Sequence, residues 1–234
     1  MKRRQFNRAL GGLSALLVLA SWQQAHALTI GKISNAQATQ GLKAALEKGA
    51  VAAVGLLGRS DGFLGHPKVR IELPGYLNDA ARLMKTLGQG QRVDELVTSM
   101  NRAAEAAVPM SKALLVDAVK SMTVGDAKKI LTGGDTAVTD FFANKTRTPL
   151  GKKFLPVVTQ ATAKVGLARR YNAVVTQAAG LGLVQAQDAN IEQYVTRKTL
   201  DGLYAVIGDE EKKIRSNPLG QSSELIKTVF GALR

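Results

Sequence analysis

Three groups of polar residues stand at spacings that could carry chemistry. Asp94, Asn101 and Glu105 follow one another at seven- and four-residue steps, which sets them along one side of an α-helix beside its apolar stripe. With Arg102 adjacent, a polar pocket there could grip a carboxylate or phosphate through the guanidinium fork. The plainer alternative, and the favoured one, is an Arg102–Glu105 surface pair with Asn101 bonded to a neighbouring helix end, because such i,i+3 pairs are common. The second group is Gly133-Gly134-Asp135-Thr136, followed by Asp140. A glycine pair feeding a helix N-terminus exposes backbone N–H groups that suit an anion, but Asp135 would repel that anion and satisfy the donors itself, so a helix cap is expected. The third group is basic: Lys145, Arg147, Lys152 and Lys153, then Lys164, Arg169 and Arg170. Such a face suits anionic lipid heads, lipopolysaccharide, acidic glycan or nucleic acid, and its bland reading is a solvated surface. The run Glu210-Glu211-Lys212-Lys213-Ile214-Arg215 is read as a solvated helix face, with Glu211 and Arg215 spaced for a pair.

Elimination removes most other chemistry. The absence of cysteine excludes disulfides, thiolate zinc sites, iron–sulfur clusters and cysteine nucleophiles. Of the two histidines, His26 falls in the N-terminal leader described below, and His66 sits in a Gly-His-Pro turn, where bonding to backbone or water is expected. No Gly-x-Ser-x-Gly elbow, phosphate-binding loop, dinucleotide fingerprint or calcium loop is present. No catalytic residue, metal or cofactor is therefore assigned. Carboxylate chemistry through Glu105, Asp135 or Asp140 with Arg102 stays open, since it depends on spatial pairs.

The helices that carry these groups follow an N-terminal address. Lys2, Arg3, Arg4 and Arg8 precede an uncharged run from Ala9 to Trp22, which ends in Ala25-His26-Ala27. That is a basic region, an apolar region and a small-residue cleavage site, expected to be cut after Ala27. The Arg3-Arg4 pair and the dilution of the apolar run by Gly11, Gly12 and Ser14 point to twin-arginine export, with that machinery as a partner of the precursor. The run is too short for a retained membrane anchor, and no membrane span is expected in residues 28–234.

Past residue 28, helical spacing recurs almost everywhere. Leu42, Ala45, Leu46, Gly49, Ala53 and Leu56 mark one helix from a cap at Ser34 or Asn35 to Gly58. A turn-rich stretch, 60–67, leads to Val69-Arg70-Ile71-Glu72-Leu73, whose alternation predicts one short extended or hairpin segment near 64–73. Further helices are expected over 76–87, 93–108, 114–122, 124–131 and around Val138 to Phe142. Thr148-Pro149 reads as an N-cap and first helical residue that begins another helix, and Pro156 as a kink or restart of a helix through Val175. Asn190 with Gln193 resembles a capping box, and Asn217-Pro218 restarts a last helix. The expectation is an all-α domain of nine or ten helices over residues 28–234.

Composition agrees with this and limits the partners. The 234 residues are 45% hydrophobic and 5% aromatic, which suits a packed domain and argues against a core built from large rings. Removing four leader cations from the 32 leaves 28 basic against 18 acidic residues, a strongly positive mature chain. The blocks Asp61-Gly62-Phe63-Leu64, Ser99-Met100-Asn101-Arg102-Ala103-Ala104-Glu105, Gly133-Gly134-Asp135-Thr136-Ala137, Ala163-Lys164-Val165-Gly166-Leu167-Ala168, Tyr171-Asn172, Asp201-Gly202-Leu203 and Glu210-Glu211-Lys212-Lys213-Ile214-Arg215 resemble, in order, an exported bacterial family, domain of unknown function 4197. The resemblance spans most of residues 35–231 and implies a helical domain in a Gram-negative periplasm. It carries over no catalytic residue. Relatives often have Tyr-Phe where this chain has Phe141-Phe142, so no hydroxyl role is carried to that position.

Three functions follow in order. The first is a non-enzymatic periplasmic protein whose basic surface binds an anionic envelope component or a protein partner. The second is a carrier holding a lipid or other apolar ligand between helices. The third is a carboxylate-dependent enzyme. Nucleic acid ranks low as a partner, because export removes most encounters with it and few aromatics accompany the cations.

Overall fold

The computed structural model describes residues 35–77, 81–82, 85–88, 90–134, 136–163, 190–217 and 220. Among them the chain is helical, with no strand. Helix α1, Asn35–Leu57, buries the expected small and apolar stripe, including Leu42, Ala45, Leu46, Gly49 and Ala53. It ends where the Gly58 N–H reaches the Val54 carbonyl at 2.9 Å. A 3-10 turn at Gly75–Leu77 precedes α2, Gly90–Ala107, which buries Val93, Leu96, Val97, Met100 and Ala104. Pro109 then diverts the chain into a 3-10 turn, Val108–Ser111, because proline supplies no helical N–H. Helices α3, Lys112–Lys120, and α4, Val124–Thr132, follow; α5 is Ala137–Ala163 and α6 is Ile191–Ser216.

Six α-helices have bounds among the described residues, fewer than the nine or ten expected; residues 81–82 and 85–86, in the helix expected over 76–87, are helical as well. Part of the difference is a correction. Thr148-Pro149 does not begin a helix, and Pro156 does not restart one, because α5 runs through both prolines. The two are seven residues apart and both exposed, so they lie on one face of the helix. The carbonyls they leave without a helical donor, those of Lys145 and Lys152, belong to exposed residues on that face and can be hydrated there. The cap expected at Asn190 is present, its side chain accepting from the Gln193 N–H at 2.7 Å. Asp135, the region 164–189, the last helix expected after Pro218 and the leader 1–27 lie outside the described residues.

Helix α6 packs along α5 and α1, and α2 packs against α5. Their buried faces merge into one hydrophobic cluster. Few as they are, aromatic rings hold its centre: Tyr204, Phe63, Phe142 and Phe154 are among the largest fully buried side chains, contrary to the expectation from composition. The segment 70–74 crosses this assembly without regular structure. No helix among the described residues is long and apolar enough to cross a membrane.

Candidate functional site

The polar side chains of α2 face the loop between α1 and the first 3-10 turn. After α1 the chain reverses at Asp61, whose φ of +62° lies in the left-handed region, and at Gly62, where a Cβ would fall 2.4 Å from the Leu57 carbonyl oxygen. Only glycine fits that approach. The turn presents the Phe63 and Leu64 N–H groups to Glu105 Oε1 at 3.0 and 3.1 Å. The second oxygen, Oε2, accepts from Arg102 at 2.6 Å, and Arg102 also reaches Asp61 at 2.8 Å and the Ser60 hydroxyl at 3.1 Å. Glu105 first, and then Asp61, hold the guanidinium pKa above its ordinary value. One turn earlier, Asn101 is fully buried. Its amide oxygen accepts from the Ile71 N–H at 2.9 Å, while its NH2 donates to the Ile71 and Val97 carbonyls at 2.9 and 2.8 Å. The amide therefore takes the place of a neighbouring strand for Ile71, which is why an alternating segment stands here with no sheet. From the other side Tyr194 of α6 donates to the Glu72 carbonyl at 2.9 Å. Of the two expectations for this group, the Arg102–Glu105 pair is present, but Asn101 binds Ile71, in a segment outside any helix, and no helix end. The ion-pair partners of Arg102 are this chain's own carboxylates. Asp94 shares the helix but is exposed, 3.5 Å from Lys85.

Two clefts flank the same segment. One, of about 320 Å³, lies between residues 68–72 and α6, with Tyr194, Lys198 and Asp201 on its helical wall. The other, of about 480 Å³, lies between Arg70, Glu72 and the start of α2, with Arg82, Lys85 and Asp94 around it. His66 sits in the turn leading to both, its Nδ1 accepting from the Lys68 N–H at 3.3 Å, the backbone role expected of it. Lys68 pairs with Asp209 of α6.

The basic group divides. Lys145, Lys152 and Lys153 are exposed on α5, with Lys145 and Lys152 seven residues apart on one stripe. Arg147 points elsewhere, 2.8 Å from Asp201 and over the Tyr204 ring at 5.2 Å from its centroid. Beneath it the Tyr204 hydroxyl meets Thr146 Oγ1 at 2.9 Å, and burial raises its pKa. Lys145 lies 4.0 Å from Asp126 in the first turn of α4. Hydrogen bonds from the Thr123 N–H and hydroxyl chiefly lower the Asp126 pKa, and Lys145 and Lys129 add to this. Lys129 thereby joins the group, a residue the sequence pattern did not single out because it belongs to another helix. Lys152 and Lys153 have no ion-pair partner among the described residues. Lys164, Arg169 and Arg170 lie outside those residues. In the glycine-led group, Thr136 and Asp140 are exposed, and the Asp140 N–H bonds the Thr136 carbonyl at 2.8 Å.

Among the described residues no three His, Cys, Asp or Glu side chains are grouped to hold a metal ion. The class so defined is an all-helical protein with a loop clamped between two of its helices and unpaired lysines on its surface. The chain belongs to the family described as protein of unknown function (DUF4197), with a match over residues 32–231. No curated protein and no solved structure matches it.

Proposed function

We propose that the protein is a non-enzymatic binding protein of the periplasm, exported by the twin-arginine route, whose basic face on α5 holds an anionic envelope component or an acidic protein partner. The observation that carries this reading is the exposed pair Lys152 and Lys153, which no described carboxylate neutralises. Lysines in water keep their hydration until an anion arrives, so an unpaired cluster attracts anions at long range. The enzyme reading loses support at the same time. Both oxygens of Glu105 are taken by main-chain N–H groups and Arg102, and Arg102 is held by its own chain.

Vesicles test this. The purified protein is expected to sediment with vesicles of phosphatidylglycerol and phosphatidylethanolamine at low salt, and not with phosphatidylcholine. About 0.5 M salt should release it, since surface charges are screened within a few ångströms there. The double variant Lys152→Glu, Lys153→Glu should lose the binding. Lys145 is left intact because it also faces Asp126 of α4. Salt-resistant binding to both vesicle types would support the lipid-carrier alternative instead, and absence of binding at low salt would remove anionic lipid as the target.

A further inference from the structure

We infer that the cleft between residues 68–72 and α6 is a binding site for a small organic monoanion, a carboxylate carried on an apolar body, with Lys198 as the group that holds its charge. The charges around the cleft are Lys68, Arg70, Glu72, Lys198 and Asp201. Glu72 pairs with Arg70 at 2.5 Å, Asp201 with Arg147 at 2.8 Å and with Arg197 at 3.8 Å, and Lys68 with Asp209. Each carboxylate facing the cleft therefore already has a cation. Lys198 alone of the three lining cations has no carboxylate partner among the described residues.

Lys198 is also held in place. It is half-buried, and its Nζ lies 5.8 Å from the centroid of the Tyr194 ring. Tyr194 is itself fixed by its hydroxyl bond to the Glu72 carbonyl. A cation resting on a buried ring loses less freedom on meeting an anion than a solvated surface lysine does. The remaining lining suits the rest of such a ligand. Val69 and Ile71 are buried apolar residues, and α6 contributes Gly202 and Ala205, which have almost no side chain. A Cβ at residue 202 would stand 2.9 Å from the Phe63 ring and 3.1 Å from Val69 Cβ, so the loop packs on the helix backbone and closes the floor. A volume of about 320 Å³ lies at the small end of ligand sites and accommodates a single ring with its carboxylate.

Benzoate is the probe, with benzamide as its neutral counterpart, followed by nuclear magnetic resonance of the ¹⁵N-labelled protein. Saturable benzoate shifts are expected at the amides of Ile71, Glu72, Lys198 and residues 201–205, and none from benzamide. Lys198→Met, which keeps the stem and removes the charge, should weaken binding about tenfold, the usual scale for one charge-assisted contact. Lys198→Arg should retain it. Ala205→Phe should abolish it by filling the cleft without changing a charge, which tests the same site if Lys198→Met folds poorly. Lys152→Glu, Lys153→Glu should leave the titration unchanged, so this site and the vesicle-binding face stand or fall separately. Equal shifts from benzamide, shifts scattered over the exposed lysines, displacement by equimolar inorganic phosphate, or an unaltered affinity in Lys198→Met would each overturn the assignment.

Discussion

Glu105 shows how a residue pattern that resembles a binding site can be a structural tie. Its side chain is 6% exposed, while that of Arg102 is 41% exposed. The two ends of the pair therefore carry unequal weight. Removing the guanidinium leaves a carboxylate that still accepts two main-chain N–H bonds and that water can approach where the arginine stood. Removing the carboxylate leaves two N–H groups of the Phe63–Leu64 turn, one of them buried, without an acceptor. Glu105→Ala should cost about 3 kcal/mol, the scale for a buried charged hydrogen-bonding group whose partners are left unpaired. Arg102→Ala should cost about 1 kcal/mol, because half-exposed ion pairs are weakened by solvent. Urea denaturation of the two variants gives the comparison, and an equal or larger loss for Arg102→Ala would reverse the assignment of the tie. Sequence spacing placed Asn101, Arg102 and Glu105 next to the apolar stripe of their helix. It did not show their partners, since Phe63, Leu64 and Ile71 contribute main-chain groups and every residue type has those.

At the scale of elements, the same limit has a different cause. Apolar periodicity marked α1, α2 and α6 well because each buries one stripe against neighbours, and burial is what the period records. Helix α5 departs from the expected start at Pro149 and from the restart half of the expectation at Pro156, because the proline rule concerns the missing hydrogen bond, whereas the outcome depends on which side that loss faces. The alternation at 69–73 predicts a short extended or hairpin segment near 64–73. Among the described residues 61–65 and 67–69 are turns instead, only 70–74 run without regular structure, and no strand forms, because Asn101 and Tyr194 supply the bonds that sheet partners would give. The start of α4 was legible as an element and its cap was not identified. There Thr123 accepts from the Asp126 N–H at 3.1 Å while Asp126 accepts from the Thr123 N–H at 3.0 Å, a reciprocal capping box. Because folding lowers the Asp126 pKa, its contribution is fully present above the ordinary aspartate range and is lost as pH falls through the lowered value. Thr123→Ala should therefore reduce stability by about 1 kcal/mol at neutral pH. The difference between wild type and variant should shrink below the carboxylate range, measured by thermal unfolding from pH 7 down to pH 2. A difference that stays constant with pH would mean that the Asp126 charge has no part in the cap.

For the whole molecule, the loop at 59–74 acts as a strut between helices. It takes Glu105 and Asn101 from α2, and Tyr194, the bare backbone at Gly202 and Asp209 from α6. Phe63, Val69 and Ile71 from the same loop enter the central hydrophobic cluster. A segment without regular structure commonly opens by local fluctuation, at little free-energy cost. Here, local opening would have to release a buried ring, a buried carboxylate and a fully buried amide together, each of which costs on the order of kcal/mol to leave unsatisfied. Those losses approach the stability of a whole domain, about 5–15 kcal/mol, so the loop should open only when the helices separate. The amides of Phe63, Leu64 and Ile71 should accordingly exchange with solvent as slowly as those of Met100 and Leu203 in the helical core, and share their dependence on urea. Glu105→Ala should split this behaviour, bringing Phe63 and Leu64 into a faster, urea-insensitive regime while Leu203 follows the lowered global stability. Fast exchange at Ile71 in the unmodified protein would mean that the loop moves independently, and the cleft against α6 would then lack a fixed wall.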